Sequence, residues 1–501
     1  MKLPPGDLSR QRAKVRARSA GALLAITVLA LLLRGWGLHG TGFTADEVDE
    51  LHSAHAPLVS IVLDDDEDRF PPLYRTLVAL WMRALGTDLA SRWFNVVCGV
   101  TAVVVVFFAG RELLGRRAAW APALLLACSP YHIHYCREGR AYALFVLLIA
   151  AAFWGALRSI RAGGIAGWCV LTLASAAAVW THYYAVPIVG VMWLVVGSAA
   201  LLRRQWKPLA AATGCLLILV APTALLLQRA MGDYSKGTLV AEFDVEAWGY
   251  MLANQALGFS AGPSMVELRS LPAAEGIRLF VPWVAALAVV WSVLGIAALA
   301  RLGRSWQLLL LLATAVAVVP VLGIAGNVIG VGFVDRYAAW LCVPYALLLG
   351  AGASLCRRSW AIQAALFTLL AINGYAVYQA RTNPRYALED FRAVANELNR
   401  LADEQEAVLV ASPHMAQALA YYLPEQRTYD WFPIFAEKSD EREARIAEFL
   451  GNRENGERYW IVSQWLPRDD TRRETRDGAL RQLGAELRAE LNQAEIYQAV
   501  K

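Results

Sequence analysis

TAVVVVFFAGRELLGRRAAWAPALLLA, residues 101–127, decides how this chain folds. An apolar run meets Arg111, Arg116 and Arg117, and a second apolar run follows at once. An α-helix needs ~20 mostly apolar residues to cross a bilayer, and Lys and Arg gather in cytoplasmic loops. The stretch therefore reads as spans at about 91–110 and 118–134 joined by a cytoplasmic turn. The pattern repeats along the chain. Spans at 141–157, 184–202, 279–300 and 337–356 end in RSIR (158–161), RRQWK (203–207), RLGR (301–304) and RR (357–358). Returning spans fit roughly at 163–182, 208–228, 306–325 and 360–378.

The N-terminal tail, 1–18, holds Lys2, Arg10, Arg12, Lys14, Arg16 and Arg18 against Asp7, which places it in the cytoplasm. The apolar run at 19–36 is followed by Arg34-Gly-Trp with no small-x-small cleavage site, so it reads as a retained helix rather than a signal peptide. The expectation is a polytopic α-helical membrane protein with about eleven transmembrane helices. Composition agrees: 57% of the 501 residues are hydrophobic and 18% charged, against ~25% charged for a soluble domain. Mean hydropathy is +0.40. These figures exclude a disordered chain and a secreted disulfide scaffold. The seven cysteines, mostly in apolar runs without a C-x-x-C pair, read as small buried hydrophobes.

Residues 37–70 carry nine acids and one base, Arg69, and read as an outside loop. PPLYRTLVALWMRALG (71–86) is short for a span and reads as an interfacial helix completing a first extracytoplasmic loop, 37–90. A second such loop is expected at 229–276, within a membrane module covering 19–379. All seven histidines then fall at or beyond the outer face. The last 121 residues hold 39 of the 89 charges, so 380–501 reads as a soluble extracytoplasmic domain. Helical spacing at 387–404 and 416–423, with buried-strand runs at 408–412 and 459–465, makes it α/β.

Ionisable groups at a membrane boundary are expensive unless paired or functional. Four constellations stand out: Phe43-Thr-Ala-Asp46-Glu47-Val-Asp49-Glu50; SPYHIHYCREGRAYAL (129–144) with Glu138, Arg140 and Tyr142; Trp180-Thr-His182-Tyr183-Tyr184; and Gly332-Phe-Val-Asp335-Arg336-Tyr337. A paired acid suits a general base or a metal ligand. The planar fork of an arginine suits a phosphate. The plainer readings are a solvated acidic loop for the first, a Glu138–Arg140 helix-capping pair for the second, and aromatic belt for the third. The DDDED run at 64–68 reads as a solvated face. Tyr421, Tyr422, Trp431, Phe432 and Trp465 in the tail read mainly as core. One acid-rich loop and two boundary arginines suggest a site for a lipid-anchored phosphate.

An Asp-Glu after the first helix, then F-P-P-L-Y, S-P-x-H-I-x-Y-x-x-E-x-R-x-Y-A-L, T-H-Y-Y and a late R-Y occur in this order over residues ~20–378. The ordered set resembles the GT-C superfamily of membrane glycosyltransferases. Within it, the resemblance is to bacterial proteins related to protein O-mannosyltransferases and to galacturonosyltransferases of the lipopolysaccharide core. The resemblance implies transfer of a sugar from a polyprenyl-phosphate carrier to an acceptor hydroxyl outside the cytoplasmic (inner) membrane, with inversion. It implies Asp46 as base with Glu47 beside it. Glu138, Arg140, Tyr142, His182, Arg336 and Tyr337 would then bind the donor phosphate and substrate. Expected partners are the lipid-linked donor, a glycan, lipid or protein acceptor and membrane lipid, not nucleic acid.

No organic cofactor is implied, and a divalent metal stays an open alternative. Some relatives have a Glu-Lys pair before P-P-L whose Glu is associated with a metal. Arg69-Phe70 stands there in this chain, which leaves His52, His55 and His182 with Asp46 or Glu47 as the set to examine. Rival readings are a transporter or flippase of lipid-linked sugars and a non-catalytic envelope-assembly protein. The former predicts inverted repeats, which the sequence does not show.

Overall fold

The structure, a computed structural model, describes residues 5–63, 71–162, 164–226, 228, 245–264, 267, 271, 273–320, 322–323, 335–387, 389–403, 406–411, 413–423, 429–431, 446–448, 450–451, 454–464, 471–491 and 494–501. The DDDED run, Arg69-Phe70, Gly332-Phe-Val, Phe432 and Trp465 lie outside these residues, as do much of 229–276 and the side chain of Trp431. The chain divides into two compact units. One comprises Met1–Trp36, Ala54–Gly262 and Phe280–Tyr378, and the other Gly37–Ser53, Pro263–Leu279 and Gln379–Lys501.

The helices up to Thr382 are, in order, α1 (Pro5–Gly35), α2 (Ala45–His55), α3 (Leu58–Leu63), α4 (Leu73–Leu85), α5 (Ala90–Leu114), α6 (Trp120–Cys128), α7 (Pro130–Tyr135), α8 (Tyr142–Ala162), α9 (Ile165–Val179), α10 (Ala185–Leu202), α11 (Trp206–Val220), α12 (Val245–Leu257), α13 (Ala273–Leu302), α14 (Trp306–Leu312), α15 (Cys342–Ala353) and α16 (Trp360–Thr382). Among the described residues, seven helical segments are long and apolar enough to cross a membrane: 17–35, 90–114, 142–161, 185–202, 278–302, 335–358 and 360–382. The expected count of about eleven is not reached by this measure, because the returning segments are short or broken. The apolar helices α9 and α11 have 15 residues each. The expected span 118–134 is split where Ser129 turns extended (ψ 115°) and Pro130 starts α7. Helix α4, with 13 residues, rises about 20 Å, less than the ~30 Å hydrocarbon core.

The basic clusters that ended the spans in sequence converge in space. Arg158 approaches the Glu112 carboxylate at 3.5 Å and Arg161 at 4.0 Å. Arg203 donates to the Ile160 carbonyl at 3.1 Å and Arg301 to the Leu114 carbonyl at 3.1 Å. Four of the five clusters therefore share one end of the helical unit. Helix α8 runs from that end at Ala162 to Tyr142 over 21 residues, about the thickness of the hydrocarbon core.

Close helix crossings keep this unit tight. A Cβ added at Gly155 would lie 2.4 Å from the Leu171 nitrogen, and one at Gly167 would lie 2.5 Å from the Ser159 nitrogen. Helices α8 and α9 thus touch backbone to backbone, the arrangement that small residues permit in membranes. Near its end α1 buries Arg34 completely. That guanidinium donates to the carbonyls of Leu126 and Ala127 at 3.2 and 3.1 Å, capping the last turn of α6, and lies 2.7 Å from His132 Nδ1. A cation on the orphan carbonyls of a helix C-terminus is favourably placed.

In the second unit, α17 (Phe391–Leu401), β1 (Ala407–Val410), α18 (Pro413–Ala420), β2 (Tyr429–Trp431), β3 (Arg458–Gln464), α19 (Thr471–Gln482), β4 (Glu486–Leu491) and β5 (Ala494–Val500) follow one another. The strands form one sheet in the order β2-β1-β3-β5-β4. Strand β1 runs parallel to β2 and β3, and β5 antiparallel to β3 and β4. Leu409, Tyr459 and Ile461 of the sheet pack with Ala479, Leu480 and Leu483. Arg476 and Glu495 form a buried ion pair at 2.6 Å, and Tyr497 donates to the same carboxylate at 2.7 Å. The strands and helices expected in the tail are present.

Gly155→Val and Gly167→Val each force α8 from α9. Each should cost about 1–3 kcal/mol by overpacking. The check is a lower thermal midpoint for the purified protein, with Gly190→Val, whose Cβ meets nothing within 4 Å, as the control.

Candidate functional site

Three turns meet at the Tyr142 end of α8. The first is 136–141. Ser129 caps α7 by accepting from the His132 N–H at 3.2 Å, and a Pro at the first helical position starts the helix without losing a bond. His134 Nε2 then lies 2.9 Å from a Glu138 carboxylate oxygen, a contact one helical turn apart in sequence. Asn95 of α5, fully buried, fixes the rest of the turn. Its Nδ2 donates to the carbonyls of Glu138 and Arg140, the latter at 2.8 Å, and lies 3.1 Å from the Tyr74 hydroxyl. Sequence reading passed over Asn95. Its signal was a lone amide inside an apolar span, where an unsatisfied polar group is costly.

The second turn, 335–337, is tied to the first by the Tyr131 hydroxyl, which donates to the Asp335 carbonyl at 2.6 Å. Arg140 lies over the Tyr142 ring at 5.9 Å and Arg336 over the Tyr337 ring at 6.0 Å. The third turn brings His182. Its ring stacks on Phe145 at 5.1 Å and meets Tyr337, Tyr184 and Tyr142 at 5.3, 5.6 and 6.0 Å. The structure thus gathers Glu138, Arg140, Tyr142, His182, Arg336 and Tyr337 in one place.

Electrostatics separates the roles available to the titrating groups. Burial pushes the Glu138 carboxyl up, but His134, Arg140 and Arg336 outweigh it and hold it below the usual carboxylate range. Burial, then Arg140 and Arg336, push His182 down to about 3. Its Nδ1 accepts from the Tyr184 N–H at 3.3 Å. A neutral imidazole with Nδ1 accepting carries its proton on Nε2. The cluster therefore offers two guanidiniums and a neutral N–H donor, a set suited to an anion.

The acids of the first loop belong to the second unit, at the start of α2. Thr44 and Glu47 form a capping box: the Thr44 N–H donates to Glu47 Oε2 at 2.9 Å and the Glu47 N–H to Thr44 Oγ1 at 3.3 Å. Glu47 is 1% exposed. Asp46, half-buried in the same first turn, is outside this cap. The T-x-x-E spacing that separates the two acids stands in the sequence but was not singled out. Among the described residues no three His, Cys, Asp or Glu side chains are grouped to hold a metal ion. His55 instead pairs with Asp88 at 2.8 Å.

Comparison with known proteins meets this geometry. Residues 70–225 match a family model described as dolichyl-phosphate-mannose-protein mannosyltransferase. ArnT from Cupriavidus metallidurans in the apo state superposes with a TM-score of 0.58 at 12% identity, covering 96% of this chain and 98% of that one. The same protein bound to undecaprenyl phosphate gives 0.56 at 13% identity, covering 95% and 98%. The chain has the GT-C superfamily fold. The oligosaccharyltransferase of Archaeoglobus fulgidus, in complex with Zn and sulfate, shares it at a TM-score of 0.52 and 14% identity, covering 88% of this chain and 68% of that one. No curated protein matches the chain by sequence. The family match runs from α4 to just beyond α11. It takes in the Glu138–Arg140 turn and His182 but neither Asp46 nor Arg336.

The lowered His182 value has a consequence for stability. An unfolded histidine takes a proton below about 6.5, whereas the folded one stays neutral to about 3. Its contribution is therefore complete above pH 6.5 and is lost as pH falls toward 3. The thermal midpoint should drop as pH is lowered from 6.5 to 4, and His182→Gln should flatten that slope. An unchanged slope in the variant would show that His182 titrates normally.

Proposed function

We propose that this GT-C protein is a glycosyltransferase that moves a sugar from a polyprenyl-phosphate donor to an acceptor hydroxyl, with inversion. The observation that carries the reading is the convergence of Arg140 and Arg336 on a neutral His182 among Tyr142, Tyr184 and Tyr337. A sugar phosphate that loses its sugar gains negative charge on the bridging oxygen. Fixed guanidiniums stabilise that charge more in the transition state than in the ground state. The His182 Nε2–H adds a donor that brings no further positive charge. The tyrosine rings offer flat apolar faces to a sugar or to the first isoprene units.

In this reading Asp46 is the base that takes the proton of the acceptor hydroxyl, a contribution of about 10²–10⁴ in rate. Glu47 is committed to the capping box, so the two neighbouring acids have different tasks. The arginine clusters at the far end of α8 favour the cytoplasm for that end by the positive-inside rule, which directs the Arg140–Arg336 end to the opposite side. ArnT of known structure has been seen with undecaprenyl phosphate, and that chemistry fits two arginines at the boundary of a span bundle.

The test uses the full-length protein in nanodiscs with a panel of polyprenyl-phosphate sugars and an envelope extract as acceptor, following release of polyprenyl phosphate. Asp46→Asn should lower turnover by about 10²–10⁴, and Arg140→Ala or Arg336→Ala by about 10²–10³. Glu47→Gln keeps the cap and should retain turnover, while Glu47→Ala should cost about 1 kcal/mol of stability. Donor binding without release by the wild type, under every acceptor fraction, would favour a transporter.

Orientation has its own check. Glu486 on β4 has a side chain 71% exposed. A cysteine placed there should react with an impermeant maleimide in right-side-out vesicles. Reaction only after the membrane is opened would reverse the topology.

A further inference from the structure

Within the second unit the first loop is held by the tail. Asp390, which caps α17 by accepting from the Ala393 N–H at 3.0 Å, also accepts from the Gly42 N–H at 2.9 Å. Arg392 donates to the carbonyls of His39 and Gly40 at 3.1 and 2.9 Å. The Tyr422 hydroxyl accepts from the Phe43 N–H, and the Tyr421 ring meets Phe43 edge-on at 5.7 Å. The segment so gripped, 39–43, ends one residue before Thr44, the cap of α2. It contains Gly40 and Gly42 and follows Gly37, which has a φ of +64°. Such a stretch has many conformations when untethered, and ordering it costs conformational entropy.

We propose that the α/β tail is a positioning element for Asp46. Asp390, Arg392 and Tyr422 fix the backbone of 39–43, and the Thr44–Glu47 capping box carries that constraint into the first turn of α2, where Asp46 stands. The inference rests on the reading of Asp46 as the base. A base acts only within hydrogen-bond reach of the proton it removes. An error of about 1 Å in its placement can cost about 10²-fold in rate. The tail thus contributes to turnover without touching the reacting atoms, and Asp390, Arg392 and Tyr422 are positioning residues.

Gly42 supplies the sharpest test, because a Cβ there would lie 2.6 Å from Asp390 Oδ1, 2.7 Å from Arg392 Cβ and 2.8 Å from the Arg392 nitrogen. Gly42→Ala therefore forces the loop and the start of α17 apart without altering any residue of the tail. In full-length protein in nanodiscs, Gly42→Ala and Asp390→Ala should lower kcat by about 10- to 100-fold, with the donor KM within about twofold of wild type. Tyr422→Phe should act in the same direction. Asp390→Asn, whose amide oxygen still accepts both N–H groups, should restore most of the rate lost in Asp390→Ala.

In the Asp46→Asn background Gly42→Ala should change the residual rate by less than about twofold, since the two act on one step. Wild-type kcat in Gly42→Ala and Tyr422→Phe, with Asp46→Asn inactive, would overturn the positioning role and leave the base in place. Full turnover by Asp46→Asn would remove the base assignment, and this inference with it. A Gly42→Ala defect of equal size with and without Asp46 would show that the clamp acts on something else.

Discussion

Two guanidinium groups act on the same neighbours, His182 and Glu138, and the rest of the helical unit is arranged to make that tolerable. Like charges gathered out of bulk water are expensive unless paired and hydrogen-bonded. The compensation comes from several elements. Glu138 keeps its negative charge beside His134, His182 adds no charge, and Asn95 directs the carbonyl ends of the Glu138–Arg140 turn. Tyr131 locks the Asp335 turn to the same place. What the cluster gathers is positive charge with flat aromatic walls.

That arrangement needs rigid supports, and the helix crossings supply them. The α8–α9 contact at Gly155 and Gly167 sets the axis of α8, which begins at Tyr142. Arg34 closes the C-terminus of α6 just where Ser129 and Pro130 turn the chain toward Glu138. A break in a membrane helix frees backbone groups that lipid cannot satisfy, so it persists only where protein groups take them up. Here the arginine that marks the end of the first apolar run in sequence is the group that does so. A feature read only as evidence of a retained helix thus has a structural task in shaping the site.

Much of this was legible in sequence because membrane constraints are one-dimensional. Apolar runs closed by RELLGRR, RSIR, RRQWK and RLGR imply one shared end, and Glu112, Ile160 and Leu114 meet those arginines there. Buried strands at 407–410 and 458–464 were legible for the same reason, as short apolar runs between polar ones. Helix lengths were less legible, since hydropathy does not record where Ser129-Pro130 breaks a run or how far α9 and α11 extend. Partners distant in sequence were invisible to pattern reading: Glu138 with His134 is local, but Asn95 with the Arg140 carbonyl depends on how α5 packs.

The pair Asp46-Glu47 shows how local geometry divides residues that composition cannot. In sequence they are two adjacent acids at a helix start, equally suited to a base, a metal site or a solvated loop. Three residues of spacing from Thr44 give Glu47 a reciprocal bond with the start of the helix, and Glu47 is buried where Asp46 is half-buried. The Glu47 carboxylate accepts from one backbone N–H, that of Thr44, and taking up a proton would loosen that bond at the helix end. Asp46, one position earlier, projects about 100° away around the helix and has no part in the cap. The capping box that engages one acid therefore holds the turn that carries the other, which makes the start of α2 a folding device on which both acids stand.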